Sequence, residues 1–245
     1  MKPALKLHRR RFLKASLISA GTLTYFSQNV FAKLQEKTML TLEQKRLVPV
    51  AAFAAEGNID GLRNALAQAL DDKVAINAIK EVLVQTYAYA GFPRSLNALS
   101  ALMDVVNKRR EAGKKDEQGK DASPFHTDKT MVEVGTEIQT KLVGQPVTGP
   151  LFEFAPAIDQ FLKSHLFGDI FVRDNLDYET REVATIAMLA ALQGAQSQLK
   201  SHYQMGTNTG LEKQDLKEIV TILETEVGPE VGKRASEVLD SFLNG

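Results

Sequence analysis

The chain repeats itself, and the repeat limits what it can fold into. The stretch Leu40-Thr41-Leu42-Glu43-Gln44-Lys45-Arg46-Leu47 parallels Leu176-Asp177-Tyr178-Glu179-Thr180-Arg181-Glu182-Val183 at an offset of 136. After a slip of one residue the correspondence resumes at 137. Gly57 then pairs with Gly194, Leu62 with Leu199, Ile79-Lys80-Glu81-Val82-Leu83 with Leu216-Lys217-Glu218-Ile219-Val220, and Gly91 with Gly228. Several blocks in one order mark a duplication. Each copy is about 60 residues long, too short to bury a good core alone. The two are therefore expected to pack together about a pseudo-two-fold axis.

Helical spacing runs through both copies. Leu47, Val50, Ala51 and Ala54 fall at i, i+3, i+4 and i+7, as do Leu216, Ile219, Val220 and Leu223, and Leu99, Leu102, Met103 and Val106. Thr41 and Asp177 stand where helix N-caps are expected, and Gly57, Gly91, Gly206 and Gly210 punctuate the helices. The charged run from Lys108 to Ser123 reads as a solvated helix end and loop. The expectation is an all-α fold of two helical repeats in one compact domain. Its segments are 1–32, 33–107 (first repeat), 108–150 (charged linker and connecting helix) and 151–245 (second repeat).

The first 32 residues carry six basic side chains and no acidic one. Arg9-Arg10-Arg11-Phe12-Leu13-Lys14 resembles the twin-arginine export motif R-R-x-F-L-K, with His8 where Ser or Thr is usual. The apolar stretch from Ala15 to Phe26 is too short to span a bilayer stably, and Val30-Phe31-Ala32 resembles a signal cleavage site. The expected location is periplasmic or secreted, with membrane contact only during export. Without these residues 24 basic face 30 acidic side chains, a net charge of −6. Such a surface repels phosphate backbones, so nucleic acid is not an expected partner. The chain has no cysteine, which excludes disulfides, thiolate metal sites and thiol catalysis.

Two passages resemble the carboxymuconolactone decarboxylase family. Glu81 to Leu99, with Gln85, Tyr89, Gly91, Pro93 and Asn97, is similar to the family's E-V-x-x-Q-x-x-x-Y-x-G-x-P-x-x-x-N segment. The second runs from Phe167-Gly168-Asp169 through Arg181 and Glu182 to Leu199-Lys200-Ser201-His202, similar to L-R-x-H. The resemblance implies a compact helical fold that assembles into homo-oligomers, with sites close to subunit or repeat boundaries. Its alkylhydroperoxidase D branch places a glutamate ahead of C-x-x-C-x-x-x-H. Here Glu182 and His202 match the outer members, while Ala195 and Gln198 occupy the cysteine positions. Thiol peroxide reduction needs an attacking and a resolving sulfur, so the family's peroxidase activity does not carry over.

What the resemblance leaves is an acid–base pair. His202 is the expected proton donor or shuttle and Glu182 the group that orients it. Ala195, Gln198 and His202 share one helical face at i, i+3 and i+7, and a small Ala195 leaves room for part of a ligand. Tyr87, Tyr89, Phe92, Pro93, Arg94 and Asn97 are expected to wall the site, Arg94 pairing with a substrate carboxylate. Glu81 and Glu218 recur in both copies, which favours a bond at the repeat interface. No metal or organic cofactor is called for, since no H-x-H or H-E-x-x-H spacing occurs. The function read from these residues is a cofactor-independent lyase or isomerase acting on a small cyclic acid or lactone. The rival reading is a catalytically inactive ligand-binding or assembly module.

Overall fold

The computed structural model describes residues 40–245. The expected export motif and the expected boundary at residue 32 lie outside the described residues. Within them the duplication is visible helix by helix. The first copy consists of α1 (Leu42–Glu56), α2 (Ile59–Asp71), α3 (Ile76–Ala90) and α4 (Phe92–Glu111). Three helices follow: α5 (Met131–Val143), α6 (Pro150–Phe154) and α7 (Pro156–Phe161). A wide helical turn, π1 (Leu162–Ile170), then leads into the second copy. That copy has α8 (Tyr178–Ala191), α9 (Gln196–Thr209), α10 (Lys213–Ile222) extended by π2 (Leu223–Val227), and α11 (Pro229–Leu243). No strand occurs among the described residues, so the fold is all-α as the periodicity predicts.

Matching residues start and stop matching helices. The Thr41 hydroxyl accepts from Gln44 N at 3.1 Å, and the Asp177 carboxylate accepts from Thr180 N at 2.7 Å. Each satisfies one of the N–H groups that a helix start leaves unpaired. Gly57 and Gly194 both turn the chain with left-handed φ, 83° and 81°. That region penalises any residue with a Cβ, which is why glycine recurs at this place in both copies.

The central layer is α1 against α8, and most residues of both are buried. Ala-rich faces let them approach closely, and Gln44 donates across the seam to Glu179 at 2.9 Å. Each copy's third helix also reaches the other copy's first: α3 packs on α8, and α10 with π2 packs on α1. This reciprocity is the pseudo-two-fold arrangement expected of the repeat. The carboxylates that recur in both copies mark it. Glu81 on α3 pairs with Arg181 on α8 at 2.9 Å, and Glu218 on α10 pairs with Lys45 on α1 at 2.7 Å.

Two local expectations need correction. Met103 is exposed, because α4 buries Ala98, Ala101 and Leu102, leaving Met103 one residue round from that face. The charged run after α4 is also not merely solvated. Arg109 and Asp116 form a bidentate pair that is largely buried, and the carbonyls of Glu117 and Gln118 accept from Ile76 N and Asn77 N at 2.9 Å each. The loop thus caps α3, whose start has no side-chain cap of its own.

The segment between the copies builds a second apolar cluster, with Val134, Ile138 and Leu142 of α5 against Phe167, Ile170 and Phe171. Its backbones meet at two glycines. A Cβ on Gly135 would lie 1.7 Å from the Lys163 carbonyl oxygen, and one on Gly168 would lie 2.9 Å from the Met131 carbonyl oxygen. The chain can pack α5 on π1 this closely only because both positions lack a side chain.

Candidate functional site

Glu182 occupies the second turn of α8, inside the central layer, and is wholly buried. His202 sits on α9, the next helix of the same copy. Its Nδ1 lies 2.7 Å from Glu182 Oε2. A buried carboxylate on one ring nitrogen fixes the imidazole's orientation and leaves Nε2 as the nitrogen free for other work. Glu182 Oε1 has no hydrogen-bond partner, so the carboxylate's polar capacity is directed at this one ring.

His202 lines a recess of about 660 Å³. Tyr89, from α3 of the other copy, sets its ring edge-on to the imidazole at 5.8 Å between centroids. The Tyr89 hydroxyl lies 3.4 Å from Thr185 Oγ1. Burial, and then the nearby Glu182 charge, push this phenol well above its ordinary value, so it stays protonated. The site therefore draws on both repeats: its aromatic wall comes from the first, its imidazole and carboxylate from the second.

Of the residues the sequence singles out, Tyr89, Gln198 and His202 line this recess, with Glu182 behind the imidazole. The others stand apart from it. Tyr87 and Phe92 stack on each other at 4.2 Å, and Tyr87 also packs on His165 at 5.3 Å, forming an outer aromatic group. Pro93 and Asn97 are exposed on α4. Arg94 is turned to the end of α1, where it donates to the Ala55 carbonyl at 2.5 Å. That carbonyl is among those a helix terminus leaves unpaired, so the guanidinium is held away from the expected carboxylate. Ala195 is the N-cap of α9 and packs on the core rather than on the cavity.

The remaining wall comes from the expected linker and from the start of the expected second repeat. Gln139 and Val143 of α5, Leu151 and Phe152 of α6, and Leu166 and Phe167 of π1 also line the recess. Of these, the sequence singles out only Phe167, at the head of the second family-like passage. For the others the one available signal was the pair of glycines that seats α5 on π1.

The first copy has a cavity of about 600 Å³ at the corresponding place. There Arg46, Ala65 and Glu226 stand where the second site has Glu182, His202 and Tyr89. Arg46 pairs with Asp72 and lies 3.7 Å from Glu226. Ion pairs thus span the first cavity where the second keeps an imidazole. Among the described residues no group of three or more His, Asp or Glu side chains is disposed to hold a metal ion.

The buried ion pairs around the site belong to the scaffold. Arg181 is completely buried, bonding to Glu81, Gln85 Oε1 at 3.0 Å and the Arg173 carbonyl at 2.8 Å. Burial lowers its guanidinium from the usual value, and Glu81 opposes that fall. For Glu81 burial pushes upward, but the hydrogen bonds from Arg173, Asn175 and Arg181 outweigh it and hold the carboxyl below the usual range.

Comparison with known proteins follows the same division. The profile of the carboxymuconolactone decarboxylase family matches the chain twice, over residues 20–104 and 156–240. The matches begin 136 residues apart, the offset at which the chain repeats. A 4-carboxymuconolactone decarboxylase of Acinetobacter baylyi is 30% identical over 90 residues, which is 35% of this chain and 66% of that relative. The chain thus covers just under two thirds of the relative's length.

Proposed function

The chain belongs to the carboxymuconolactone decarboxylase family, and from that premise we propose that it is a cofactor-independent acid–base enzyme, a lyase or isomerase of a small cyclic acid or lactone. The observation that carries this is the 2.7 Å contact between His202 Nδ1 and the buried Glu182, placed at the wall of a recess. Glu182 holds a proton on Nδ1, so Nε2 takes a proton from substrate carbon or returns one to it. Tyr89, kept protonated beside the ring, supplies a hydroxyl where a substrate oxygen gains charge. Lyase and isomerase chemistry both consist of this transfer, coupled to electrons moving toward a carbonyl.

Incubation of the protein with lactones and ring acids in deuterated water tests the proposal. Wild type is expected to convert a substrate or exchange its acidic carbon-bound proton, and the folded His202→Ala variant is not. Equal exchange by both would leave a binding or assembly module.

Location and assembly are part of the proposal. The twin-arginine-like motif supports export to the periplasm or beyond. Assembly into homo-oligomers is supported by the apolar side chains that α6 and α7 hold in solvent, with Phe154 89% and Phe161 61% exposed.

A further inference from the structure

The recess beside His202 has a lining that divides by chemistry. Its half-buried side chains are Tyr89, Val143, Val147, Phe152 and Leu162, all apolar apart from the Tyr89 hydroxyl. Leu151 belongs to the same lining and is 64% exposed. The serines and glutamines that α9 contributes, by contrast, are exposed to solvent. The cavity at the corresponding place in the first copy has another character, with Arg46, Asp71, Asp72 and Glu226 in its wall. Duplication therefore does not account for the apolar wall. Val143, Val147, Leu151, Phe152 and Leu162 all come from the segment between the copies, which has no counterpart elsewhere in the chain.

Size points the same way. The recess holds about 660 Å³. A bare lactone ring of six heavy atoms, even at the roughly 30 Å³ that a water claims in the liquid, fills no more than about 180 Å³. The rest of the space would be left to water lying against valine, leucine and phenylalanine, an arrangement that an apolar group entering from solvent improves. Sites of about 300–1,000 Å³ with walls of this kind enclose ligands larger than a single small ring.

We propose, resting on the reading of this recess as the substrate site, that its substrate is a ring compound carrying a sizeable apolar substituent, an alkyl chain or a second ring. The reacting ring stands at His202, and the substituent lies on Val143, Leu151, Phe152 and Leu162. The segment between the copies is then the part of the chain that selects the substrate, while the second copy supplies the chemistry. Leu151 and Phe152 are specificity residues on this reading, and the apolar surface that Leu151 holds in water is covered when substrate binds.

Calorimetric titration of the full chain with a series of γ-lactones bearing methyl, butyl and hexyl chains tests this. Affinity is expected to rise about two- to four-fold for each added methylene, at one site per chain. The heat capacity change on binding is expected to become more negative along the series. The double variant Leu151→Ser, Phe152→Ser removes apolar wall at two positions that belong to neither buried core cluster, so it is expected to fold. It should bind the hexyl lactone at least about five-fold more weakly and the methyl lactone by about two-fold or less. The series on wild type needs no variant to fold. Affinity that is flat or falls along the series overturns the proposal, and so does an undiminished gain per methylene in the folded double variant. Proton exchange that runs equally well on the methyl and hexyl lactones, without a difference in affinity, would uphold the acid–base enzyme and sink this inference. Chain-dependent binding with no proton exchange on any lactone or ring acid would do the reverse.

Discussion

Glu81 and Arg181 come from different repeats and pair at 2.9 Å with both side chains buried, whereas their counterparts Glu218 and Lys45 pair at 2.7 Å in partial contact with water. The duplication has kept the contact and changed its surroundings. Breaking the buried pair strands a charge in the core, so Glu81→Ala is expected to cost about 3–5 kcal/mol. Glu218→Ala is expected to cost about 1 kcal/mol or less. Urea unfolding of the two variants checks the difference, and equal losses would refute it.

The same pair gives the fold an acid limit. The Glu81 carboxyl is lower in the folded chain than in the unfolded one, so it contributes stability that is fully present above the unfolded value of about 4.3. That contribution is lost as pH falls below this value and through the folded one. Thermal melts of wild type should therefore decline steeply below about pH 4. Glu81→Gln should start lower and decline less over the same range.

Catalysis, if it runs through the imidazole, is expected to fall by about 10²- to 10⁴-fold in His202→Ala with little change in far-ultraviolet circular dichroism. Glu182→Gln keeps a hydrogen-bonding group beside the ring but removes its charge. The expected result is a loss in kcat with the fold retained. An unaltered kcat would mean that the carboxylate does not serve the ring.

Gly135→Ala tests whether α5 must touch π1 by backbone. The added carbon would fall 1.7 Å from the Lys163 carbonyl, so the helix has to move. A loss of at least about 2 kcal/mol is expected, with weaker ligand binding because Gln139 sits on the displaced helix. Wild-type stability in this variant would contradict the described packing.

The proposed export rests on the arginine pair. Replacing Arg9 and Arg10 together with lysine is expected to leave the protein, or a reporter fused behind residues 1–32, in the cytoplasm. Cell fractionation reads the outcome, and unchanged export would remove the twin-arginine assignment.

The sequence made the fold legible because duplication presented each local signal twice. Thr41 and Asp177 cap matching helices, Gly57 and Gly194 turn the chain with the same φ, and Glu81 and Glu218 bond across the repeat boundary. The His202–Glu182 contact was also within reach, since it joins neighbouring helices of one copy. Arg94 was misread because its partner, the Ala55 carbonyl, is set by how α4 meets the end of α1. No spacing within the Tyr87 to Asn97 segment reveals that meeting. Gln139 went unnoticed because it belongs to the unduplicated segment, where nothing doubles the signal and the contacts that bury it are distant in sequence.

The two cavities carry a consequence of their covalent union. In a pair of identical chains every substitution is made twice, so a cation placed beside one site appears beside the other as well. One polypeptide carrying both halves is released from that constraint. Arg46 can brace the first half with salt links while its counterpart stays an acid bonded to an imidazole, and neither half has to compromise for the other. Joining the halves end to end is what lets the two sides of the molecule differ.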